Sequence, residues 1–350
     1  MHSILLFSLV SLLPLSLQGP DPQKAAPSHR HGGKKVAAVA APPLLALVPR
    51  NTKGVWLDEE GEPSLDLTAL ALIALARRGN TMRAGPAKLA ILQGVLALKQ
   101  RKPGTETDQS EIDQEVLTAL GMSIHERLAS FMLLRRYVTQ SMDRAFSSER
   151  LDKVFPENGL GSPSQDVTRL LYLLLFQQIQ ISMSSSNVTV RMSTPTAKVD
   201  TERMRSWLHR GLKDTNADAE RLLILFLGHL VLDPPKEPPL VASPTGFLWK
   251  RAHRIMQADQ KKSGGELPPR LLFLDTLLRA EFLTDAFPKT LRESRKSRLE
   301  TWEKQFRAKV TQAKGLSRND LYRLMTLAEL RGRTPLWQPP AESPAPKIWR

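Results

Sequence analysis

The stretch Ser64–Gly79, SLDLTALALIALARRG, has a carboxylate near its start, a dense apolar body and a basic turn ending in glycine. Its apolar residues recur at three- and four-residue spacing, which reads as a helix packed on several sides. Similar stretches return at 111–124 (EIDQEVLTALGMSI), 163–176 (PSQDVTRLLYLLLF), 215–228 (TNADAERLLILFLG) and 317–330 (SRNDLYRLMTLAEL). Their acidic residues, Asp66, Asp113, Asp166, Asp218 and Asp320, fall about fifty residues apart with one double step, a spacing typical of arrayed supersecondary units. The missing member is 267–283 (LPPRLLFLDTLLRAEFL), where prolines stand in place of the acid. Proline is itself favoured in the first helical turn.

Between these segments lie more amphipathic ones at 86–100, 133–149, 202–213, 247–260 and 296–310. Each mixes an apolar stripe with a charged face, as a helix open to solvent on one side does. The alternation predicts an all-α fold: an α/α toroid of about six hairpins, with an inner and an outer ring of helices, over residues 51–335. Long, unequal connections argue against a regular solenoid. The polar piece NVTVRMS at 187–193 reads as a small hairpin or a loop, and its Asn187 matches a glycosylation acceptor.

The pair LDLTALALIALARRGN and PAKLAILQGVLALKQRKPG resembles a repeat of the terpenoid cyclase and prenyltransferase toroid superfamily. Gln100 and Gly104 stand where that repeat carries its Gln and Gly. The resemblance runs over Trp56–Gly104 and continues in phase to about Gly332. It implies the fold and not the family's chemistry. No Asp-rich acid motif is present. The absence of cysteine removes the Asp–Cys–His zinc site and the Cys–Gln thioester. No cofactor and no metal are expected.

The 350 residues are 41% hydrophobic and only 6% aromatic, so the core is aliphatic. Without cysteine there are no disulfides, thiolate metal sites or cysteine nucleophiles. Residues 1–19 read as a signal peptide around the apolar run Ile4–Leu17, although no Lys or Arg precedes it. Residues 20–50 read as a flexible Pro/Ala/basic linker and 336–350 as a Pro-rich tail. The chain is therefore expected to be exported, periplasmic or extracellular, in the bacterial manner.

A net charge of +15 favours an anionic polymer or another exported protein as partner. The strongest positive face carries Arg292, Arg295, Lys296, Arg298, Lys304 and Arg307, with Trp302 and Phe306 at helical spacing. Basic residues beside aromatics grip phosphates and stack bases. The alternative is an outer helix with both aromatics turned inward. His29 and His31 in the basic stretch HRHGGKK, and the scattered His125, His209, His229 and His253, form no metal motif. His229, on a strongly apolar helix, reads as a buried, hydrogen-bonded core residue.

The recurring aspartates are expected to cap their helices, each cap stabilising by roughly 0.5–2 kcal/mol. Inner helices of a toroid start at one end, so the same acids also line one mouth. Asp113 and Asp166 are the candidate pair for acid–base work on a glycosidic bond, which needs two carboxylates about 5–10 Å apart. The leading functional reading is a non-catalytic exported binding or scaffold protein. The alternatives are a carbohydrate-active hydrolase or lyase at the carboxylate mouth, and an anion binder working through the basic helix at 289–314.

Overall fold

The computed structural model describes residues 53–100, 109–129, 132–184, 193–233, 246–263, 265–283, 287–310, 315–331 and 336–337. The chain divides into units 1–40 and 41–350, and every described residue belongs to the second. The signal segment, the linker, Asn187, His29 and His31 therefore lie outside the described residues. Among the described residues no helix is long and apolar enough to cross a membrane.

The protein is all-α apart from a short hairpin, β1 (Trp56–Leu57) and β2 (Pro63–Ser64), which pair antiparallel. The helices are α1 (Leu65–Arg77), α2 (Lys88–Gln100), α3 (Gln109–Ala129), α4 (Arg135–Ala145), α5 (Ser148–Val154) and α6 (Asp166–Ser184). Then come α7 (Thr201–Gly211), α8 (Ala219–Leu232), α9 (Gly246–Ser263), α10 (Pro269–Leu277), α11 (Lys289–Val310) and α12 (Arg318–Arg331). A π-helical turn, Leu278–Phe282, extends α10.

The six segments aligned by their starts are α1, α3, α6, α8, α10 and α12. Each packs on the next in that order, and α12 packs back on α1. Buried residues run almost continuously along α1, from Asp66 to Arg77, and along α8. That burial is why their sequences are apolar all round. By contrast, α4 and α7 bury one stripe each: Val138, Ser141, Met142 and Ala145 in the first, and Met204, Trp207, Leu208 and Gly211 in the second. Helices α2, α4, α7, α9 and α11 pack against the six from their flanks. Five such helices occur among the described residues. After α12 the next described residues, Leu336 and Trp337, are both buried. The remainder of the tail read at 336–350 lies outside the described residues.

Two glycines inside the apolar helices differ in what they permit. A Cβ on Gly228 would fall 2.4 Å from a methyl carbon of Leu208, which is itself fully buried. One on Gly121 would meet Ala69 at ordinary van der Waals distances of 3.5–3.6 Å. Gly228→Ala should therefore cost about 1–3 kcal/mol through overpacking. Gly121→Ala should be neutral or stabilise slightly through helix propensity. Urea denaturation of the two variants checks this; equal midpoints would refute the α7–α8 close approach.

Candidate functional site

Polar side chains link the N-terminal ends of neighbouring helices. Asp66 of α1 pairs with Arg318 of α12. In α3, Asp113 accepts hydrogen bonds from Gln109 Nε2 at 2.9 Å and from the Thr168 hydroxyl of α6. Asp166 of α6 accepts from Arg169 Nη1 at 2.5 Å and from Arg221 Nε of α8 at 2.9 Å. Glu220 of α8 pairs with Arg270 of α10 at 2.5 Å. These links cross four of the six helix–helix contacts, all near the helix starts.

The expectation that the aspartates share a capping role holds for two of them. Asp218 accepts from the Arg221 backbone N–H at 2.8 Å and caps α8. Ser317 and Asp320 bond each other's backbone N–H at 3.1 Å, a capping box with Asp in place of Glu. Asp66, Asp113 and Asp166 do not cap. They lie inside their helices, and their carboxylates meet groups on neighbouring helices instead. Ser64, accepting from Leu67 N–H at 3.3 Å, caps α1.

Asp166 is committed to two guanidinium groups, whereas the hydrogen-bond partners of Asp113 are neutral. Burial raises the Asp113 pKa, partly offset by the Thr168 and Gln109 hydrogen bonds and the nearby Arg318 charge.

A second network lies at the opposite, C-terminal ends. Arg77 of α1 reaches Glu281 on the π turn at 2.6 Å and Glu329 of α12 at 2.7 Å. All three side chains are at most 5% exposed. Burial raises the pKa of both carboxyls, against the Arg77 charge, and Glu329 reaches about 8. The indole of Trp337 lies beside Glu329, close enough to favour its ionised form but short of good hydrogen-bond geometry. Arg127 of α3 donates to the Leu336 carbonyl at 2.8 Å and to Gln178 at 3.1 Å. Burial, only partly offset by Glu281, lowers its pKa to about 10.

The basic residues of α11 divide between two clefts and contacts with neighbouring helices. Arg292 donates twice to the Leu330 carbonyl, at 3.1 and 2.9 Å, and so satisfies the C-terminus of α12. Arg295 pairs with Asp275 at 2.6 Å. Arg298 lines a cleft of about 820 Å³ with Arg323 and Trp302, while Lys296 lines a separate cleft of about 610 Å³ with Glu293 and Glu300. Lys304 is exposed, and the Arg307 side chain lies outside the described residues. Trp302 stacks on Phe306 with centroids 5.1 Å apart and carries the Arg323 guanidinium 5.5 Å from its ring. Both aromatics also pack against the core, so the inward reading holds.

Among the described histidines, His125 and His229 are buried and His209 is exposed. Fully buried His125 contacts the Leu72 carbonyl at 2.9 Å, and burial lowers its pKa to about 4. His229 is buried as expected, but its Nε2 meets no hydrogen-bond partner among the described residues, and burial lowers its pKa. His253 lies 2.7 Å from Asp275, which Arg279 and Arg295 also contact. Burial alone would raise the Asp275 pKa. The His253 hydrogen bond and the two arginine charges outweigh it and hold the carboxyl well below its usual range. No group of three or more His, Asp or Glu suited to a metal ion occurs among the described residues.

Sequence reasoning assigned the inner-helix arginines no role. The spacing Asp-x-x-Arg in DVTR (Asp166–Arg169) and DAER (Asp218–Arg221) was the available signal, because i and i+3 share a helix face. Glu281 and Glu329 carried no comparable signal, since the nearest arginine to each is two residues away and so off its helix face. No family model, curated protein or solved structure matches the chain.

Proposed function

We propose that α1, α3, α6, α8, α10 and α12 close as the inner ring of an α/α toroid of the terpenoid cyclase type, and that the protein is an exported, non-catalytic binding or scaffold protein. The return of α12 onto α1, with like ends cross-linked from helix to helix, supports the ring. The sequence resemblance over Trp56–Gly104 supports the kinship, and the apolar N-terminal run supports export.

The observation that carries the non-catalytic reading is the state of the N-terminal carboxylates. Asp66, Asp166 and Glu220 are each held by arginine. Asp113 is tied into hydrogen bonds with its own helix and with α6. An acid–base pair needs two carboxyls aimed at a shared substrate space, one protonated and one ionised. Carboxylates bound to guanidinium groups of adjacent helices act as cross-links.

The test is turnover of a panel of acidic and neutral polysaccharides between pH 4 and 8, read as reducing-end or unsaturated-product release. No release is expected from the wild-type chain. Release that disappears in a folded Asp113→Asn variant would overturn the non-catalytic reading and establish the hydrolase or lyase alternative.

A further inference from the structure

Leu336 and Trp337 are held in an unusual way for core residues. Their main chain is bound by side chains of three different helical segments. The Leu336 carbonyl accepts from Gln178 Nε2 at 2.6 Å and from Arg127 Nη2 at 2.8 Å. The Trp337 carbonyl accepts from Gln177 Nε2 at 2.9 Å, and the Leu336 N–H donates to Glu281 at 3.3 Å. The π turn at Leu278–Phe282 carries Glu281, and such turns cluster at functional sites. The Trp337 side chain is 1% exposed and Leu336 fully buried. Consecutive main-chain groups read by side chains, with a large anchor side chain in a pocket, are the features of peptide recognition.

The surroundings of this dipeptide are polar and ionisable. Glu281 accepts from the Leu336 N–H, Glu329 lies beside the Trp337 indole, and Arg77 pairs with both acids, all three almost wholly out of water. A permanent core segment favours an apolar floor, because buried charges are costly to desolvate. A segment that leaves restores water to those groups, which offsets part of the cost of exposing its apolar side chains. Leu336 follows the end of α12 at Arg331 by four intervening residues.

We propose that the C-terminal ends of α1, α3, α6, α10 and α12 form a peptide-binding site for an extended Leu–Trp segment, and that the chain fills this site with its own Leu336–Trp337 as a detachable ligand. The site takes a dipeptide unit offering two carbonyls and one N–H, with an indole in the pocket. The assignment stands on these contacts alone and does not depend on the non-catalytic reading.

The test uses the full chain with Leu336→Gly and Trp337→Gly together, to which a synthetic peptide spanning Thr334–Pro340 is added in trans. The variant is expected to melt at lower temperature. The peptide should bind it 1:1 and restore about half of the lost Tm at saturation, as a ligand of the native state must. A peptide with Ala in place of Trp should do neither. Failure of the native peptide to bind the folded variant would overturn the proposal.

Hydrogen exchange on the wild-type chain decides the matter if the variant does not fold. The Leu336 amide should exchange on the order of 100-fold faster than the slowest amides of α1, reporting a local opening. Exchange at the same rate as the α1 core would make the segment ordinary core and overturn the assignment.

Discussion

Replacing Asp166 by asparagine should destabilise the protein by about 3–5 kcal/mol, the range for breaking one partner out of a buried ion pair. Asp166 is 3% exposed and sits between Arg169, fully buried, and Arg221, 8% exposed. Its two oxygens take Arg169 Nη1 at 2.5 Å and Arg221 Nε at 2.9 Å. The two guanidinium groups repel each other, as the downward push of Arg221 on the Arg169 pKa shows, although burial is the larger cause. Asparagine keeps the shape and loses the charge, leaving two cations facing each other out of water.

Asp218 supplies the internal control. It caps α8 through one bond to the Arg221 N–H, a role asparagine fills equally well. Asp218→Asn should therefore be near neutral, and Asp218→Ala should cost about 1 kcal/mol. Urea midpoints at fixed m-value measure all three. If Asp166→Asn behaves like Asp218→Asn, the α6–α8 cross-link contributes nothing and Asp166 is merely another cap.

Glu329→Gln should remove a pH dependence that the wild-type chain shows. Glu329 is buried, and burial, opposed by the charge of Arg77, lifts its pKa from the ordinary 4.5 to about 8. Between those values the folded chain holds a proton that the unfolded chain has released. Stability from this group is therefore fully present below about pH 4.5 and is lost as pH rises to about 8. Each unit of difference corresponds to about 1.4 kcal/mol, so the loss across the window is on the order of a few kcal/mol. Glutamine imitates the protonated acid and titrates nowhere.

The wild-type Tm should accordingly fall from pH 5 to pH 8, while the variant stays level over the same range once other groups, common to both, are subtracted. At pH 8 the variant should be the more stable of the two. A variant less stable than wild type at pH 7 would mean that Glu329 is ionised and that its pairing with Arg77 at 2.7 Å is a net stabilising ion pair.

The sequence by itself determined the helices and their two classes. The near-continuous apolar runs of α1 and α8 had to be buried on several sides, and the striped α4 and α7 on one. This followed because helix periodicity is a local property, legible within a dozen residues. The capping box at Ser317–Asp320 was legible for the same reason. The two-strand hairpin was not, since two-residue strands leave too little alternation to read.

Which acid meets which base was decided only by the tertiary structure. Asp66 and Arg318 are 252 positions apart, and Arg77 and Glu329 equally far. No local pattern encodes such a pairing. It arises because α12 returns to α1 and brings both ends of the two helices together. Aspartates that look alike in sequence thus divide into caps and cross-links according to where each helix begins. A one-residue shift of the N-cap turns a carboxylate from its own backbone toward the neighbouring helix. The burial of Leu336 and Trp337 belongs to the same category. Their proline-rich surroundings gave every local reason to expect an extended end, and only the assembled helix ends, with Arg127, Gln177, Gln178 and Glu281 in place, make a site that holds them.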